Sequence, residues 1–174
     1  IADQTAGAIV KARLLEETEQ RARQLSTLNE ITRQLTSTLE LGPLLQNILE
    51  NAVGILNCEA GSLFLLDEQT GELVFRVTVG PVATNLIGKR LPPGTGIVGR
   101  AVQTRGPVIE NEDQLSNSRF TGVDQQTGFV SRSLMAVPLQ VKERVTGVIE
   151  VINRRDGLPF VQDDQTLLTA FAGQ

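Results

Sequence analysis

Ser133-Leu-Met-Ala-Val-Pro-Leu-Gln-Val141 and Val145-Thr-Gly-Val-Ile-Glu-Val-Ile-Asn153, joined by Lys142-Glu143-Arg144, make up the stretch from which the fold is read. Two apolar runs rich in β-branched residues around a short charged turn predict an antiparallel hairpin. On the second run Gly147, Ile149 and Val151 alternate with Val148, Glu150 and Ile152. Successive strand side chains point to opposite faces, so Glu150 lies between two apolar neighbours on one face. A carboxylate buried there needs a donor partner or keeps its proton. Glu150 is therefore a candidate to accept from an amino or hydroxyl group of a ligand. The alternative is an ion pair with a neighbouring strand or helix.

Working outward, Gly61–Leu66 and Leu73–Val79 read as two further strands around the turn residues Asp67 to Gly71. Strict alternation would put Leu73, Phe75, Val77 and Val79 on one face, and Val74, Arg76 and Thr78 on the other. Thr95 is a candidate N-cap for a helix through Ile97, Val98, Ala101 and Val102 that stops at Gly106-Pro107. Pro107–Glu110 reads as a brief strand, 111–128 as a long polar loop, and Val161–Phe171 as a closing helix. The class is α+β: a central antiparallel sheet of about six strands, with helices packed on one face and connecting segments over the other.

Residues from about 8 to 40 lack Pro and Gly and predict one long helix. Leu14, Leu25, Leu28, Leu35 and Leu39 share a register with Thr18 and Thr32. Spacings of three and four over this length suit a dimeric coiled coil. Its seam is weakened by Thr18, Arg21 and Thr32, and the alternative is a lone helix lying on its own domain. Gly42-Pro43 is expected to break this helix before a second one, marked by Leu44, Leu45, Ile48, Leu49, Val53 and Leu56. The organisation expected is a signalling or dimerisation helix over 1–41 and a folded domain over 42–174. The chain opens on Ile1 and ends at Gln174 inside the last helical run, as a piece cut from a longer protein would.

Composition narrows the function classes. The 174 residues are 40% apolar and 21% charged, ordinary for a folded domain. A net charge of −4 and a pI near 4.9 supply no basic footprint for nucleic acid. No apolar run approaches the roughly 20 residues of a membrane span. There is no His and one Cys, which removes histidine-dependent triads, histidine-ligated haem or zinc, and an intramolecular disulfide. A lone cysteine suits a reducing, cytoplasmic compartment. Cys58 beside Glu59 has no basic neighbour to activate it and reads as a small buried hydrophobe. No P-loop is present. An enzyme would have only carboxylates, Lys and Arg to work with, so a non-catalytic role without a required cofactor is expected.

Two other segments could hold a ligand. Asp124, Thr127 and Ser131 offer a carboxylate and two hydroxyls. A short helix starting near Thr127 would place Thr127 and Ser131 one turn apart; the alternative is a self-capped loop. Gly94–Gly99 could present backbone N–H groups of a helix start to an anion, or could be only a tight strand-to-helix turn.

In order and spacing, Ser62-Leu-Phe-Leu-Leu-Asp67, Gly96-Ile-Val-Gly99, Arg119-Phe-Thr-Gly-Val-Asp-Gln-Gln-Thr-Gly-Phe129 and Gly147-Val-Ile-Glu-Val-Ile-Asn-Arg154 resemble a GAF domain. The likeness covers about Leu35 to Gln174 and is greatest to the cyclic-nucleotide-binding GAF domains of phosphodiesterases and cyanobacterial adenylyl cyclases. It implies a GAF/PAS-like fold preceded by a long helix. It also implies ligand contacts: Ser62 toward the base, the Ile97 and Val98 backbone toward a cyclic phosphate, and Phe120 and Thr121 along the phosphate and ribose end. Asp124, Thr127 and Ser131 would lie over the ligand and Glu150 at the ribose side. The family's pocket-locking signature reads here as Asn153-Arg154 … Phe160-x3-Asp164-Gln165. Arg replaces Lys and Gln replaces Glu, and Arg154 is expected to pair with Asp164 in bidentate fashion.

Guanine-binding members place an aromatic residue and Asp after the second strand, where this chain has Val79-Gly80-Pro81. Adenine, or something else, therefore fits better, with Arg76 and Thr78 as the nearest candidates to read an adenine edge. The resemblance implies a sensor in a homodimer, joined through its N-terminal and C-terminal helices and attached to an output domain beyond this fragment. Its expected ligand is cyclic AMP ahead of cyclic GMP. Ligand would stabilise a closed pocket with the 111–131 segment ordered over it. The alternatives are a dimerising scaffold without nucleotide, its pocket filled by Phe120 and Phe129, a sensor of another small molecule such as an amino acid or 2-oxo acid, or a small-molecule enzyme of GAF-like fold such as a sulfoxide reductase, whose chemistry needs nucleophilic cysteines.

Overall fold

The computed structural model describes residues 2–81, 85–112 and 128–173, the side chains of 2–10 and 31–40 excepted. Its elements run α1 (Ala2–Ile55), β1 (Cys58–Leu66), β2 (Leu73–Val79), β3 (Arg90–Leu91), α2 (Gly96–Thr104), β4 (Val108–Glu110), β5 (Leu134–Val141), β6 (Arg144–Arg154) and α3 (Gln162–Ala172). By contacts the chain divides into two units, Ile1–Leu41 and Gly42–Gln174. One six-stranded sheet has the order β3-β2-β1-β6-β5-β4, with every neighbouring pair antiparallel. This is the α+β architecture the sequence predicts. The edge strand β3 escaped sequence reading because two residues carry no periodicity.

Alternation divides the sheet's side chains between two cores. Leu63, Val77, Met135, Val137, Ile149 and Val151 pack with Leu45, Leu49, Ala52 and Val53 of α1, with Leu56 just after it and with Leu168 of α3. On the opposite face Phe64, Leu73, Phe75, Leu134, Ala136 and Val148 pack with Ile97, Val98 and Ala101 of α2 and with Leu86 and Leu91. The second face thus carries a short helix along with connecting segments.

The expected break at Gly42-Pro43 is absent, since α1 runs through Pro43. A proline inside a helix removes one hydrogen bond and costs about 3 kcal/mol. Leu45, Leu49, Ala52, Val53 and Leu56 form a buried stripe at helical spacing. Each large apolar side chain buried there returns roughly 1.5–3 kcal/mol, so packing outweighs the local defect.

Strand β2 also departs from strict alternation. Leu63 pairs with Val77 while Phe64 pairs with Phe75, leaving Arg76 as an extra residue. Such a bulge shifts every later side chain to the other face. Leu73 and Phe75 consequently join the α2-side core, whereas Val77 and Val79 join the α1-side core. The expected single face for these four residues is corrected accordingly.

The β5–β6 hairpin turns on two residues: Val141 pairs with Arg144, and Lys142 and Glu143 both have positive φ, 50° and 67°. Positive φ at both central residues is the type I′ hairpin geometry. The strands meet tightly at Gly147, where an added Cβ would stand 2.2 Å from the Phe64 carbonyl oxygen. No other residue type fits that position without moving β1.

Candidate ligand cavity

Between the α2-covered face of the sheet and α2 lies a cavity of about 80 Å³. Its apolar wall includes Phe64, Phe75, Leu86, Leu91, Leu134 and Ile152, and its polar groups are Ser62, Thr95, Glu110, Ser131 and Glu150. Strand register explains the polar row. Ser62 on β1 lies opposite Thr78 on β2 and Glu150 on β6, and Glu150 lies opposite Ala136 on β5. Glu150 is 9% exposed, and Ser62, Thr78 and Ser131 are buried as well.

Helix α2 closes the opposite side. It begins directly on the Pro93–Thr95 turn because Gly99 packs on Gly94: an added Cβ at Gly99 would stand 2.5 Å from the Gly94 carbonyl carbon. That contact brings Thr95, Gly96, Ile97 and Val98 into the cavity wall. Thr95 occupies the N-cap position as the sequence predicts, but its side chain makes no capping hydrogen bond. The start of a helix carries partial positive charge on its first N–H groups, so this wall is a donor pole. Glu110 and Glu150 make the acceptor side. Glu110 is 3% exposed and is ion-paired with Arg100 of α2.

Of the residues singled out from sequence, Ser62, Ile97, Val98, Ser131 and Glu150 converge on this cavity. Thr78 is buried in the same row without lining it. Arg76 goes elsewhere: its guanidinium lies 3.8 Å from where a Cβ on Gly42 of α1 would stand. The bulge at Arg76 thus parts it from Thr78, and the two do not read a base edge together. Phe120, Thr121, Asp124 and Thr127 lie outside the described residues. Residues 128–133 contain no helix, so Ser131 is not the next turn of a helix begun at Thr127. Sequence reasoning missed Glu110, which looked like the end of a brief edge strand. The one available signal was its alternation with apolar Ile109.

A second polar cluster stands at the end of β6. Asn153 is 1% exposed and has a positive φ of 53°. Its Oδ1 accepts from the Arg132 and Ser133 N–H groups at 2.6 and 3.0 Å. Its Nδ2 donates to Glu59 at 3.0 Å and to the Val130 carbonyl at 2.8 Å. Glu59 also pairs with Arg132 at 2.7 Å. The Asn153 hydrogen bond, aided by Arg132, holds the Glu59 carboxyl below its ordinary range. These bonds fix the backbone on both sides of Ser131 and so fix that hydroxyl in the cavity wall.

Arg154 reaches Asp164 through Nη1 at 3.1 Å and Asp156 through Nη2 at 2.6 Å. The expected bidentate Arg154–Asp164 pair is therefore a fork shared between two carboxylates. Asp164 Oδ2 also accepts from the Val161 N–H at 2.9 Å, which ties β6 to the start of α3. Phe160 is buried in the α1-side core, and its N–H donates to Asn111 Oδ1 at 3.0 Å. None of Asn153, Arg154, Phe160 and Asp164 lines the cavity. Cys58 lies in the α1-side core too, where burial, with Asp164 adding to it, pushes its thiol up to about 12. A thiol so buried supplies no nucleophile to the cavity.

The GAF domain family matches residues 40–174, and the chain belongs to that family. Over 135 residues it is 27% identical to the probable 3',5'-cyclic phosphodiesterase pde-5 of Caenorhabditis elegans, a match spanning 72% of this chain and 18% of that protein. The chain therefore spans less than a fifth of that relative's length. Among solved structures it resembles the GAF domain of an Acinetobacter phosphoenolpyruvate-protein phosphotransferase with a TM-score of 0.66 at 22% identity, over 86% of this chain and 88% of the other. It also resembles a free methionine-R-sulfoxide reductase from Neisseria meningitidis, solved with its substrate, with a TM-score of 0.62 at 24% identity over 75% and 72% of the two chains. At such identities these likenesses speak for the fold. Membership in the family gives the chain a regulatory, small-molecule-sensing role of the kind GAF domains play in signalling proteins. Among the described residues no helix is long and apolar enough to cross a membrane.

Proposed function

We propose that this domain senses a cyclic nucleotide, cyclic AMP in preference to cyclic GMP, and passes its ligand state through flanking helices in a cytoplasmic homodimer. The observation that carries the reading is the cavity with the start of α2 on one side and Ser62, Ser131 and Glu150 on the other. A cyclic phosphate suits the N–H groups at Gly96 to Val98, and ribose hydroxyls suit a carboxylate such as Glu150. With ribose at Glu150, a base turned toward the end of β2 would meet Val79-Gly80-Pro81, which offers no carboxylate to the donor edge of guanine, and a base turned toward β4 would meet Glu110. No cofactor and no catalytic step enters this reading.

Support for the dimer comes from the first unit by itself. Leu14, Leu25 and Leu28 are 58, 63 and 59% exposed at positions that fit one heptad seam. A ligand shifts a sensor only by its differential affinity for two states, and a dimeric helix pair is an element able to report that difference. Calorimetric titration of cyclic AMP and cyclic GMP, with Asp124→Ala and Glu150→Gln as controls, tests the proposal. Saturable heat from cyclic AMP that both substitutions weaken is the expected result. Silence from both nucleotides at millimolar concentration, with the domain demonstrably folded, refutes it.

A further inference from the structure

Glu110 has the features of a residue that contacts ligand. It sits on edge strand β4 opposite Leu134, with its side chain in the cavity wall. Arg100 of α2 pairs with it and does not itself line the cavity. A ligand therefore meets the carboxylate and not the guanidinium. Packing alone gives little reason to bury the Glu110 carboxylate beside the partly exposed Arg100, since a charge taken out of water, even when paired, adds little or no net stability over an apolar residue of similar volume.

The register places Glu110 relative to the other carboxylate. Glu110 pairs with Leu134 and Leu134 with Ile152, whereas Glu150 pairs with Ala136 and Ala136 with Val108. The two acids are thus two strands and two residues apart on one face. Ordinary strand spacings put their Cα atoms roughly 12 Å apart, with Leu134 and Ala136 of β5 between them. A molecule of a few fused or linked rings can address both at once. Among the described residues, the polar side chains lining this cavity are hydroxyls and these two carboxylates, with no Lys or Arg, and its donor pole at the start of α2 lies on the opposite wall. Acceptors of that kind favour a ligand that presents amino or ammonium hydrogens and disfavour one that presents a carbonyl oxygen in the same place.

We infer that Glu110, positioned by Arg100, is a specificity-determining carboxylate that reads an amino group on the bound molecule. The inference rests on the cavity being the ligand site, and it adds the ligand's chemistry at the β4 end. For cyclic AMP the amino group is the exocyclic amine of adenine, which stands where guanine carries a carbonyl oxygen.

The test compares cyclic AMP with cyclic IMP, which carries a carbonyl oxygen where cyclic AMP carries its amine, on the full chain and on Glu110→Gln. The intact chain is expected to prefer cyclic AMP about tenfold or more. A glutamine amide can donate or accept, so in Glu110→Gln the two affinities should come within about threefold. Glu110→Asp keeps the charge beside Arg100 and withdraws the carboxylate by one methylene; it should narrow the preference and serves if Glu110→Gln does not fold. Equal binding of both nucleotides to the intact chain, or a preference unchanged in both variants, overturns the inference and leaves the nucleotide reading standing. If neither nucleotide binds, 1,4-diaminobutane and 1,4-butanediol take their place. Binding of the diamine alone, lost in Glu110→Gln, sustains the inference while the nucleotide reading falls. Failure of the diamine as well overturns both.

Discussion

The two faces of one sheet are built from alternate residues of the same strands, and they differ in kind. On β6, Ile149 and Val151 enter a core closed by α1 and α3, while the intervening Glu150 faces a cavity under α2. On β1, Leu63 goes to the first face and Ser62 to the second. The first face is close-packed hydrocarbon. The second gives up packing for buried carboxylates and hydroxyls, which cost free energy unless something bonds to them. The contrast teaches that stability and recognition are separated here by a two-residue period and not by distance along the chain.

The largest effect should come from breaking the dry face. Ile149→Ala removes a fully buried side chain and should lower unfolding stability by about 2–5 kcal/mol, read by denaturant titration. Its ligand affinity, measured where the protein is still folded, should stay within about threefold. A large affinity loss without a stability loss would erase the distinction between the faces.

Next comes Asn153, which joins the returning chain to the sheet. Asn153→Ala leaves the Arg132 and Ser133 N–H groups and the Val130 carbonyl without this partner. Lost bonds of this kind should together cost about 2–4 kcal/mol. Because the same bonds hold Ser131 in the cavity wall, ligand affinity should fall too. This substitution should therefore move both faces' readouts, where Ile149→Ala moves one.

Glu150→Gln probes the wet face alone. Stability should change by less than about 1 kcal/mol, while affinity for cyclic AMP should drop about tenfold, or roughly 1.4 kcal/mol. Calorimetry and denaturant titration on the two proteins decide it; a variant that loses stability yet binds normally would show that Glu150 is structural.

Smallest in size is a pH effect at the edge of the comparison. The Glu59 carboxyl is held low by Asn153 and Arg132. A carboxyl with a lowered folded value contributes stability above its unfolded value of 4.5, and loses that contribution as pH falls through the folded value. Glu59→Gln should therefore be less stable than the intact chain near neutral pH, with the gap closing under acid. A gap that grows as pH falls would contradict the assignment.

Much of this division was legible in the sequence. Alternation on Val145–Asn153 placed Glu150 and Ile149 on opposite faces, as observed. Leu45, Leu49 and Val53 announced a helix packed on the sheet by their spacing. What escaped reading depends on defects of period. One extra residue at Arg76 moved a predicted base reader to the α1 side, and no propensity marks a bulge. Pro43 reads as a stop because its local cost is plain in the sequence, whereas the packing that offsets it is tertiary. Glu110 was missed because its meaning depends on Arg100, brought to it by the fold.

The most direct test of the two-face account is methyl NMR of the full chain during titration with cyclic AMP. Methyl resonances of Ile97, Val98, Leu134 and Ile152 should shift and saturate together, while those of Leu49, Ile149 and Leu168 stay within the small drift of a distant core. Saturating shifts confined to the α1-side methyls, or none on either face with the protein folded, would contradict it.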